Sequence, residues 1–293
     1  HLLDINAGVT GGRLEIAWTY SRHRHTEATI KRLSGAFVEA IRALIGHCRD
    51  SEAGGCTPSD FPLAALDQPA LDGLVGNGRT IEDLYPLSPL QAGLLFHCRY
   101  APNSAMYFSQ FSCTLAGAFE PDAYRAAWQR VVDRHPILRT SFAWKALSEP
   151  LQLVHRRVRV AWTQEDWRDV PAAEQPARID AFLEGDRQRG FELDKPPLTR
   201  LAVLRLADDA WHIVSTNHHL LLDGWSLPVM MAEVMAVYEG LVRGQEVPLE
   251  PPRPYRDYIR WLQEQDLAEA EAFWRRALEG FSAPTPLLAA RPG

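Results

Sequence analysis

The sequence has no apolar run approaching the roughly 18 residues that a membrane-crossing helix requires, so no membrane partner is expected. It has no secretory start either, since His1-Leu2-Leu3-Asp4 carries neither a basic region nor an apolar stretch. The first residue is not methionine, and the chain is expected to be a piece of a longer polypeptide. Cysteine is sparse. Cys48, Cys56, Cys98 and Cys113 form no C-x-x-C pair and show no zinc-ligand spacing, which suits reduced thiols in a cytoplasmic protein without a structural metal. Lysine is scarce too, and the arginines are scattered among acids, as where Arg187 and Arg189 sit near Glu184 and Asp186. With a net charge of −6 the chain lacks the basic surface that displaces phosphate counterions, so nucleic acid is not an expected partner.

What is present suffices for a core. Hydrophobic residues make up 46% and charged residues 23%, which excludes disorder of the whole chain. A strand is predicted over 13–20, where Leu14, Ile16, Trp18 and Tyr20 share one face, and a helix from about Thr26. Residues 49–80, rich in glycine and proline, read as a linker holding one short helix near Ala65–Leu74. Beyond Tyr85, helices are predicted over Pro89–Tyr100, Pro121–Arg134, Ala172–Arg189 and Ser226–Arg243, with a last one after Pro254 running to Leu278. Strands are predicted over Tyr107–Ala116, Ile137–Trp144, Leu151–Val160, Leu198–Leu206 and Trp211–His218. Such mixing without strict alternation implies an α+β fold, a mixed sheet covered by helices.

The segment that bears chemistry is Asn217-His218-His219-Leu220-Leu221-Leu222-Asp223-Gly224-Trp225-Ser226. Strand alternation sends His218 and His219 to opposite faces, one free to enter a cavity while the other packs inside. A turn is expected at Asp223-Gly224, where glycine permits unusual backbone angles. Ser226, His219 and Asp223 are the residue types of a hydrolase triad, but the G-x-S-x-G elbow is missing. A metal site from His218, His219 and Asp223 would lack convergent ligands.

His-His-x-x-x-Asp-Gly, as His218–Gly224, resembles the signature of nonribosomal peptide synthetase condensation domains, which have the chloramphenicol acetyltransferase-like fold. Tyr85–His97 resembles the opening motif of that family, Arg134–Phe142 its second motif, and Pro254–Tyr258 the stretch before the helix linking its two lobes. The resemblance covers residues 81–293 and the first lobe only, so the isolated chain is expected to be inactive. Residues 1–48 resemble the closing strand and helix of a preceding epimerization or condensation domain, and 49–80 the linker that follows.

The resemblance implies a function, amide bond formation between two thioesters carried by donor and acceptor peptidyl carrier proteins on phosphopantetheine arms. Neighbouring synthetase domains would be further partners, and the domain would need no cofactor of its own. His219 would act on or position the acceptor amine, and His218 would be buried with both ring nitrogens bonded. Asp223 would pair with Arg139 to hold the loop, while Gly224 and Trp225 would lie against the substrate. The opening motif is nearer to that of the subclass joining a D-donor to an L-acceptor. Two other readings remain open on these residues, a non-catalytic docking piece of a synthetase and a coenzyme A-dependent acyltransferase.

Overall fold

The computed structural model describes residues 2–50, 54–101 and 107–283, in two compact units. The first comprises residues 1–56 and 71–79. Here β1 (Leu3–Thr10) and β2 (Arg13–Tyr20) pair antiparallel from Leu3 against Tyr20 to Thr10 against Arg13. Gly11 and Gly12 both have positive φ, 55° and 76°, as a two-residue hairpin turn of matching twist requires. α1 (Glu27–Arg49) starts at Thr26, whose hydroxyl accepts from the Thr29 N–H, and its Phe37 packs edge-on against Trp18 with ring centroids 5.7 Å apart. Sequence reading missed β1, because Asn6, Ala7 and Gly8 interrupt its apolar alternation.

A short helix, α2 (Gln68–Val75), falls inside the expected linker. The second unit, residues 57–70 and 80–293, is built on two sheets. The smaller sheet has the order β3 (Ile81–Pro86), β6 (Leu151–His155), β5 (Thr140–Ala143), all antiparallel. The larger has the order β4 (Phe108–Ala116), β9 (Ala210–His218), β8 (Thr199–Ala207), β7 (Ala161–Asp166), with β7 parallel to β8. Helices α3 (Pro89–Tyr100), α4 (Pro121–Arg134), α5 (Gln175–Arg189), α6 (Ser226–Arg243), α7 (Tyr255–Gln263) and α8 (Leu267–Ala277) complete it. No described helix is long and apolar enough to cross a membrane.

The core lies between the larger sheet and its helices. Trp128, Val131 and Val132 of α4, Val234 and Val237 of α6, and Val203 and Ile213 of the sheet join one buried cluster. Central placement explains β9, which is flanked on both sides and buried along nearly its whole length.

Several element boundaries differ from expectation. The strand expected from Ile137 begins at Thr140, because Pro136–Arg139 winds into a 3-10 turn. Leu151–Val160 leaves its sheet after His155, and β3 and β7, both unforeseen, are strands. The single last helix is two, because the Asp266 carboxylate caps a fresh start by accepting from the N–H groups of Ala268 and Glu269.

Candidate active site

β9 delivers His218 and His219 to the end of the larger sheet. The His218 N–H donates to Leu198 O on one side, and the His219 N–H donates to Tyr107 O on the other. The chain then turns, the Leu221 N–H donating to His218 O, and Leu220, Leu221 and Leu222 sink into the core at 1%, 7% and 7% exposure. Burial of three leucines, each contributing about 1.5–3 kcal/mol, anchors a loop that has no ladder to hold it.

A buried amide pair fixes the same loop. Gln91, on the first turn of α3, donates to Leu220 O at 2.9 Å and to the Gln152 side-chain oxygen at 3.0 Å. Gln152 returns a bond to the Gln91 oxygen and donates to Pro86 O, while the Ser88 N–H also donates to Gln91. Neither glutamine was singled out from the sequence. Gln91 has a local signal, the capping-box pattern Ser88-Pro89-Leu90-Gln91, but nothing local indicates its partner at residue 220.

The two imidazoles engage different partners. His218 is 3% exposed and enclosed by Phe108 and Phe191. Its Nδ1 accepts the Leu220 N–H at 3.1 Å, so in the neutral ring the proton sits on Nε2, 3.6 Å from Cys98 Sγ. Burial, reinforced by the neighbouring His219, pushes the His218 pKa down to about 4. His219 is only partly buried, and its Nδ1 lies 3.2 Å from Leu222 O. A carbonyl only accepts, so Nδ1 carries the proton and Nε2 of the neutral ring keeps a free lone pair.

The expected pairing of Asp223 with Arg139 is not formed. Arg139 is 4% exposed, and its guanidinium donates to Glu82 at 2.6 Å, to Val132 O and to His155 O. Those acceptors take Nε and one of the two terminal nitrogens. Asp223 turns instead to the start of α6, its Oδ1 accepting from the N–H and the hydroxyl of Ser226 at 2.8 and 2.7 Å. The Ser226 hydroxyl, then its N–H, hold the Asp223 pKa below its usual value.

The reason expected for Gly224 also needs correction. Its φ is not positive, and the turn is made by the Asp223 side chain. A Cβ at Gly224 would meet nothing within 4 Å, so the position faces open space. Beside it Trp225 is 88% exposed. A cleft of about 340 Å³ runs along this side of the loop, between Leu222, Asp223 and Trp225 and the residues Ile137, Val229 and Met230. At its edge Glu233 of α6 accepts from His135 at 2.7 Å and from Arg134 at 3.1 Å, a contact that sequence reading did not foresee.

The four segments that carried the resemblance therefore converge. Gln91 ties the first to the third, His135 ties the second to α6, and Arg256 pairs with Asp83 at 3.0 Å. Tyr255 also packs against Tyr85, with ring centroids 6.5 Å apart.

Residues 81–292 match the family model described as Condensation domain. Curated relatives include a linear gramicidin synthase of Brevibacillus parabrevis, 47% identical over 285 residues, and bacitracin synthase 3 of Bacillus licheniformis, 36% identical over 289. These matches cover 97% and 98% of this chain but only 4% of each relative. Among solved structures, the starter condensation domain of rhizomide synthetase superposes with a TM-score of 0.61 at 22% identity, over 72% of this chain and 52% of that one. The first condensation domain of the calcium-dependent antibiotic synthetase gives 0.60 at 16% identity, over 69% and 49%. The fold is thus the α+β fold of condensation domains, as expected.

Proposed function

Because the chain belongs to the condensation-domain family, we propose that it contributes the His219-bearing part of a site that joins two carrier-bound thioesters through an amide bond. The acceptor amine attacks the donor thioester carbonyl. The C–N bond forms, the C–S bond breaks, and the proton leaving the amine ends on the released thiol. The observation that supports a role for His219 is its tautomer, since Nδ1–H is committed to Leu222 O and Nε2 is left to accept from an amine. An α-amino group titrates near 8, so part of it is already neutral at pH 7 and positioning supplies much of the effect. The thioester supplies the driving force, and the phosphopantetheine arms belong to the partner carrier proteins.

His218 and Asp223 support the site without touching substrate and Arg139 holds the smaller sheet through Glu82 and His155 O, whereas Gly224, open to solvent, and the exposed Trp225 lie where an acyl group would pass. In this reading residues 81–293 are one lobe, preceded by a linker over 49–80 and the tail of another synthetase domain over 1–48. The match to gramicidin synthase over 97% of the chain, extending well before residue 81, supports it. A chain spanning 52% of a solved condensation domain would not catalyse by itself.

The test is His219→Ala in the complete synthetase, with dipeptide formation followed on loaded carriers. A loss of at least about 100-fold is expected, the lower bound for a lost general base. Undiminished product would refute the role. On its resemblance, the domain would prefer a donor ending in a D-residue. In competition on one carrier, a difference of about 1.4 kcal/mol between the two transition states would give tenfold selection, and an L preference would overturn the subclass.

A further inference from the structure

Residues 156–160 read Arg-Arg-Val-Arg-Val and belong to no sheet. Val158 and Val160 point into the core at 6% and 9% exposure, while Arg156, Arg157 and Arg159 are exposed. An unpaired extended segment needs something to hold it, and here that is Gln129 of α4. Its amide donates to Val158 O at 2.8 Å and accepts the Val160 N–H at 3.0 Å, as a neighbouring strand would. Residue 156 is tied as well, its N–H donating to Thr80 O. One helical turn before Gln129, Arg125 projects from α4 beside the same segment. The four arginines line one open cleft of about 830 Å³.

None of the four guanidiniums meets a carboxylate or other acceptor among the described residues, whereas Arg134, Arg168 and Arg200 of the same unit each have an acidic partner. In a chain of net charge −6, four unpaired cations on a backbone clamped in place form a local positive field of the kind that steers an anionic partner. The cleft also contains Asp122 and Asp133. Two carboxylates there repel a ligand made only of phosphates. They accommodate a protein surface on which acidic residues predominate and a basic residue or two is interspersed.

We propose that this cleft, between α4 and the segment after β6, docks the carboxylate-rich face of a protein partner. The site depends on neither His219 nor the loop around it, so it stands or falls separately from the proposed reaction.

The test uses a fluorescent helical peptide bearing glutamates on one face with two lysines among them, titrated against the full chain by anisotropy. Binding is expected at low salt, weakening as salt shortens the reach of exposed charges. It should fall at least about tenfold in Arg157→Glu/Arg159→Glu and by an intermediate amount in Arg157→Gln/Arg159→Gln. Arg253→Glu, an exposed arginine outside the cleft, should change it by less than about threefold. Circular dichroism establishes that each variant folds, and the glutamine pair gives the reading if the glutamate pair does not. No binding by the wild-type chain, or equal loss in Arg253→Glu, overturns the proposal. So does inorganic pyrophosphate binding that depends on Arg157 and Arg159 while the peptide fails to bind, since the cleft would then be a phosphate site.

Discussion

Gln91 donates to the carbonyl oxygen of Leu220, 129 residues further along the chain, at 2.9 Å. That bond joins the start of α3 to the loop following the paired histidines, and both ends are buried. Gln91→Ala would strand Leu220 O and the Gln152 side-chain oxygen together, at about 1–3 kcal/mol for each buried group left unsatisfied. A urea midpoint lowered by a corresponding amount is expected. An unchanged midpoint would show that the loop is held by its leucines alone.

Arg139 offers a sharper discrimination, because two carboxylates compete as its partner on paper and only Glu82 touches it. A double-mutant cycle on Arg139→Ala and Glu82→Ala should give coupling of about 0.5–3 kcal/mol, towards the low end because Glu82 is partly exposed. The cycle on Arg139→Ala and Asp223→Ala should be additive within about 0.5 kcal/mol. Coupling in the second cycle but not the first would restore the pairing with Asp223.

His218 makes stability depend on pH. Its folded pKa of about 4 lies below the ordinary 6.5, so over that interval the unfolded chain binds a proton that the folded chain refuses. The associated stability is present above pH 6.5 and is lost as pH falls towards 4, on the order of 3 kcal/mol for a shift of this size. Unfolding measured in urea at pH 7 and pH 4.5 should show His218→Gln losing less stability than wild type across the interval. Parallel losses would mean that His218 is not what titrates.

Helices such as α4 and α6 were legible in the sequence because their apolar residues recur at helical spacing, and that spacing reflects which face is buried. The motif residues were legible for a related reason. Strand alternation predicts opposite faces for His218 and His219; β9 ends at His218, His219 opens the turn that follows, and the two rings have different partners. β3 and β7 were less so, each being short and flanked by segments that read as loop or as a neighbouring strand.

The sequence by itself determined the α+β class, the order of the main helices and the family, because periodicity and motif spacing are properties of neighbouring residues. Only the tertiary structure decided which partner each polar side chain takes. Arg139 chose Glu82 over Asp223, Gln91 found Leu220 O, and Gln129 clamped residues 158–160, all across dozens of residues. The physical reason is that a buried donor must find an acceptor, and which acceptor is within about 3 Å depends on how distant segments pack.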